Sequence, residues 1–159
     1  MRILLAASLF LISAAVAAQS GPDESKVREA VAAARQAIEA GDFAAWAVHF
    51  DEDSAITMDM DPVVGRGQRE MDYVTFMRVG SLGIQGLENP EVTQTIESLE
   101  RDPDTGDLLL VLTTRVLSDL LGMRMEEVTR SEIRYHLKDG ELHVAAYSEE
   151  VLSSGPLQP

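Results

Sequence analysis

MRMEEVTRSEIRYHLKDGELHVAAYSEEV, residues 123–151, is the stretch on which the fold turns. Lys138-Asp139-Gly140 sits between two alternating runs, and Asp-Gly in that position is a strong hairpin signal. Before the turn, the even positions Arg124, Glu126, Val128, Arg130, Glu132, Arg134 and His136 form a mostly charged, solvated face. The odd positions Met123, Met125, Glu127, Thr129, Ser131, Ile133, Tyr135 and Leu137 then point inward, because side chains in a strand alternate with period two. Strands are therefore expected over Met123–Leu137 and Glu141–Val151. Glu127 stands out as a lone carboxylate on the inward face.

Working outward, Glu91–Arg101 and Asp107–Leu117 read as two further strands, joined by Asp102-Pro103-Asp104-Thr105-Gly106 and succeeded by a turn within Ser118–Gly122. The N-terminal half has a different period. Val27, Ala30, Val31, Ala34, Ala37 and Ile38 recur at helical spacing over Glu24–Ala40, with Asp23 placed to cap the start and Gly41 to end it. Asp42 precedes a short helix at Phe43–Phe50, a strand is expected at Ser54–Met60, and a third helix at Arg66–Val79. Helices first and hairpins second define an α+β fold with a mostly antiparallel sheet.

The first eighteen residues read as a cleavable signal peptide. Arg2 supplies the positive start, Ile3–Val16 the apolar stretch, and Ala-Val-Ala-Ala at 15–18 the small residues for cleavage. Fourteen apolar residues fall short of the roughly 20 that span a bilayer. Cutting after Ala18 leaves a single domain over residues 19–152 and a tail at 153–159, which Gly155 and two prolines suggest is frayed. The expected location is secreted or periplasmic, with no membrane contact after cleavage. The chain has no cysteine, 13 Lys+Arg and 27 Asp+Glu, a formal net charge of −14. That balance opposes binding to nucleic acid or anionic lipid, both of which require phosphate neutralisation.

Several segments together resemble one family. Ala40-Gly41-Asp42-Phe43, Phe50-Asp51-Glu52-Asp53-Ser54-Ala55-Ile56, Gly65-Arg66-Gly67 and the hairpin Arg134–Val144 are similar, in order and spacing, to the nuclear transport factor 2-like superfamily, which includes SnoaL-like and ketosteroid isomerase-like proteins. The resemblance implies a curved sheet wrapped as a cone around the N-terminal helices, an internal apolar pocket, and often a homodimer. It spans nearly all of the chain beyond the signal peptide. It also implies where a steroid isomerase would carry its acids and its tyrosine. Asp61-Pro62 supplies the first acid, displaced by about three residues; the tyrosine position falls on Ala34 and the late acid near Ser131. Two of three roles lack their residue.

Three function classes are open to such a chain. The first is a binding domain for a small apolar molecule, its pocket lined by His49, Met58, Met60, Tyr73, Phe76, Met77, Met125 and Tyr135. The second is an isomerase, dehydratase or cyclase with Glu127 or Asp61 as acid or base. Glu127 is favoured because an enclosed carboxyl takes a raised pKa, while Asp61 before Pro62 also suits a turn. The third is a periplasmic copper binder through Met58/Met60 and Met123/Met125, whose soft thioethers suit Cu(I) but also fill core gaps. Among these the binding domain is preferred, since no complete catalytic set and no His/carboxylate metal spacing is present; neither a cofactor nor a metal site is assigned. Leu109, Val111 and Leu117 make the outer sheet face apolar too, so a homodimer through that face is expected.

Overall fold

The computed structural model describes residues 21–59 and 67–157. The expected leader and its cleavage site, Met60 and Asp61 lie outside the described residues. Helix α1 (Glu24–Glu39) is capped by the Asp23 carboxylate, which accepts from Ser25 N at 2.8 Å, and ends before Gly41 at φ +71°. Helix α2 (Phe43–Trp46) is shorter than the pattern suggests, although Phe43, Ala47 and Phe50 are all buried.

Strand β1 (Ala55–Asp59) leads to β2 (Gln68–Met71) and helix α3 (Tyr73–Gln85). Here the structure corrects the helix expected at Arg66–Val79. Gln68–Met71 pairs antiparallel with β1, and the helix starts only at Asp72, whose carboxylate accepts from Thr75 N at 2.8 Å. It then runs through Gly80 and Gly83, residues that weaken an isolated helix. Packing overrides that weakness: a Cβ on Gly80 would lie 2.1 Å from Phe43 Cζ, so only glycine lets α3 approach α2 this closely.

The long strands are β3 (Glu88–Arg101), β4 (Leu108–Leu120), β5 (Met123–Lys138) and β6 (Glu141–Pro156). Among the described residues they complete a six-stranded sheet of order β2-β1-β6-β5-β4-β3, antiparallel except where β1 runs parallel to β6. The β4–β5 and β5–β6 turns each carry two positive-φ residues, Leu121-Gly122 and Asp139-Gly140, which match the twist of the flanking strands. β6 extends five residues beyond the expected Val151, and Ser153–Pro156 pairs with Met125–Val128 where a frayed end had been expected.

The inward phase of β5 is as the alternation indicates: Thr129, Ser131, Ile133 and Tyr135 are buried. Leu108, Leu110 and Leu112 of β4 join them beneath the helices, with Phe76 and Val27 fully enclosed. Register shifts leave Glu97 of β3, and Ala145 and Leu152 of β6, as extra residues opposite their partner strands. Such bulges bend a strand and raise its twist. They give the sheet its curvature around the helices and re-aim the side chains beyond them.

Candidate functional site

The concave face of the sheet and the three helices enclose a cavity of about 510 Å³. Its helical wall is apolar and includes Ala30, Ala34, Trp46, Phe50 and Phe76. Aromatic rings meet closely there: Trp46 stands edge-on to Tyr147 at 5.8 Å between centroids, and Phe50 lies 4.9 Å from Phe76. The sheet supplies apolar Leu112, Ile133, Tyr135 and Val144 together with a set of polar residues. Gln94, Thr114 and Thr129 stand in register across β3, β4 and β5, with Ser131, Tyr147 and Glu149 continuing toward β6.

Glu149 is the most unusual member of that set. The Ala145 bulge turns Tyr147 and Glu149 inward, opposite Ile56 and Met58 of β1 and Ile133 and Ser131 of β5. Tyr147 Oη donates to Glu149 Oε2 at 2.5 Å and lies 3.5 Å from Ser131 Oγ. Burial pushes the Glu149 carboxyl above its ordinary value; the Tyr147 hydrogen bond opposes this, and the negative charges of Glu127 and Asp59 add to it. The same burial, with Glu149 beside it, drives the Tyr147 phenol well up. Tyr147 therefore stays a neutral hydrogen-bond donor throughout the neutral range, and Glu149 is biased toward its protonated form.

The structure brings together five of the eight residues expected to line the pocket: His49, Met58, Phe76, Met125 and Tyr135. Tyr73 and Met77 do not line it; they are partly buried and pack against the core cluster. Met60, like Asp61, lies outside the described residues. Glu127 does sit on the cavity face, but it is exposed rather than enclosed, so the desolvation argued for it belongs to Glu149. His49 has a structural task as well, its Nδ1 lying 3.0 Å from the Leu142 carbonyl while its own carbonyl accepts from Val144 N.

Among the described methionines, Met58 and Met125 stand far apart along the sheet. Met58 lies level with Ser131 through β6, and Met125 is six residues away along β5, roughly 20 Å at strand rise. Met123 is half exposed at the β4–β5 turn. A second polar cluster occupies the face opposite the cavity. Buried His143 stacks on His136 at 4.7 Å between ring centroids, and its Nε2 is 2.8 Å from Asp51 Oδ1. Lys138 Nζ reaches both Asp51 and Asp53 at 2.6 Å, and this ammonium, with His143, holds the Asp51 carboxyl well below the usual range.

No family model and no curated protein matches the chain. Solved structures match its fold. A type 2 hexachlorocyclohexane dehydrochlorinase is 9% identical with a TM-score of 0.62, over 84% of this chain and 88% of that one. A ketosteroid isomerase-like protein from Erwinia carotovora atroseptica is 14% identical with a TM-score of 0.61, over 81% and 95%. A nuclear transport factor 2-like protein of unknown function from Silicibacter pomeroyi is 14% identical with a TM-score of 0.54, over 80% and 93%. The chain has the α+β cone fold of the nuclear transport factor 2-like superfamily.

Proposed function

We propose that this protein is an exported domain that binds a small, mainly apolar molecule inside the cone. The cavity carries the reading: about 510 Å³ falls within the 300–1,000 Å³ of ordinary ligand sites, and its mix of apolar wall and a few polar residues is typical of them. Fold likeness alone assigns no reaction, because this architecture hosts unrelated activities. Export is proposed from the leader sequence. Pro22 O accepts from Arg101 Nη2 at 2.8 Å, which ties the residues just before α1 to β3. Self-association is proposed through the outer sheet face, where Leu109, Val111 and Leu117 remain only half-buried.

Native mass spectrometry of the protein purified from its own cells tests all three statements together. The expected spectrum shows a chain beginning at Gln19, a dimer, and an organic molecule released on denaturation. A chain that still begins at Met1 overturns export, a monomer at tens of micromolar overturns the dimer, and a cavity that neither retains nor takes up any apolar compound overturns the binding role. Glu127 on the cavity face supports a second reading, an acid–base enzyme. That reading requires the retained molecule to be altered by the wild-type protein and left unaltered by Glu127→Gln.

A further inference from the structure

We propose that the molecule held in the cone carries a positively charged amine, and that Glu149, positioned by Tyr147, is the residue that meets it. The inference rests on the binding role above and adds the chemical class of the ligand. Its first ground is the sign of the lining. Among the described residues no Lys or Arg lines the cavity, whereas Asp119, Glu126, Glu127 and Glu149 do. Asp119 is paired with Arg124 and Glu126 with Arg115. Among the described residues Glu149 has no cation: its hydrogen bond comes from the neutral phenol of Tyr147, and the charged groups facing it are Glu127 of β5 and Asp59 of β1, both acidic.

The second ground is hydrogen-bond polarity. Glu149 Oε1 accepts no hydrogen bond from a described residue, and Gln94 Oε1, buried in the cavity lining on β3, has no partner among them. With Glu149 ionised both are acceptors, a pattern that a donor group satisfies. A protonated amine is a pure donor with up to three N–H bonds. A carboxylate or phosphate ligand would bring only acceptors and a repulsive charge. The third ground is the wall: Trp46, Phe50, Phe76 and Tyr147 line the same cavity as Glu149, and ring faces attract cations. Placing an ammonium beside Glu149 also reverses the cause of its raised pKa.

Three probes with one apolar body test this: 1-adamantanemethylamine, 1-adamantanemethanol and 1-adamantanecarboxylate, titrated at pH 7 by calorimetry and by the emission of Trp46, the single tryptophan. The amine is expected to bind at least about tenfold more tightly than the alcohol, from charge-assisted hydrogen bonding and cation–π contact, with the carboxylate weakest. In Glu149→Gln the amine's advantage over the alcohol should fall below about threefold, with a cooperative thermal transition showing that the variant is folded. Alcohol binding as tight as the amine, or an amine preference that survives Glu149→Gln, overturns the inference and leaves the binding role standing. If none of the three binds, the binding role fails with it.

Discussion

Glu149 is where the chemistry of single residues decides most. Its carboxyl is lifted by burial in the folded chain and free in the unfolded one, so above its ordinary pKa of 4.5 the folded state binds more protons. Stability must therefore fall as pH rises from that value through the folded pKa. Glu149→Gln keeps the shape and removes the charge. We expect its Tm to exceed that of the wild type at pH 7 and the difference to vanish near pH 4, read by thermal unfolding across that range. A Tm below wild type at pH 7 would mean that the ionised carboxylate is structurally required. Asp51 has the opposite sign: its lowered pKa stabilises the fold above the ordinary value of 3.8 and is lost as pH falls below it. With a side chain 39% exposed, that contribution is small.

At the scale of elements, glycines and bulges decide the outcome. Gly80→Ala gains about 1 kcal/mol of helix propensity but drives a methyl into Phe43, an overpacking that costs about 1–3 kcal/mol. The clash wins, and Tm falls. Gly83→Ala meets nothing within 4 Å, so the propensity gain stands alone and Tm rises. Equal effects at both sites would show that α3 does not rest on α2 through Gly80. The same features set how far the sequence can be read. Alternation places β5 in its true phase because no residue of β5 is bulged, and Asp139-Gly140 marks its end. In β6, alternation from buried Val144 puts Glu149 outside; the extra residue Ala145 turns it in, and nothing in the residue types announces that bulge. β2 is hidden for a similar reason, since Gln68–Met71 has no strand pattern and is a strand only because β1 lies beside it. The Asp72-x-x-Thr75 cap is the signal that could have moved the start of α3.

For the whole molecule, the charge distribution and the cavity point the same way. Outside, the sheet is laced with ion pairs such as Arg130 with Glu97 and Glu132. The net charge of −14 draws cations toward the protein at low salt. Inside, the cone encloses space that a close-packed core would have filled. The central claim is that this space is a binding site. Ala34 faces it from α1, and a phenylalanine there would occupy the volume a ligand needs. The most direct measurement is calorimetric titration of 1-adamantanemethanol into the wild type and Ala34→Phe, with the Tm of each recorded. The account predicts saturable one-to-one binding by the wild type, at least about tenfold weaker in Ala34→Phe, with the variant's Tm equal or higher because a void has been filled. Equal affinity in a folded variant, or no saturable binding by the wild type, would contradict it.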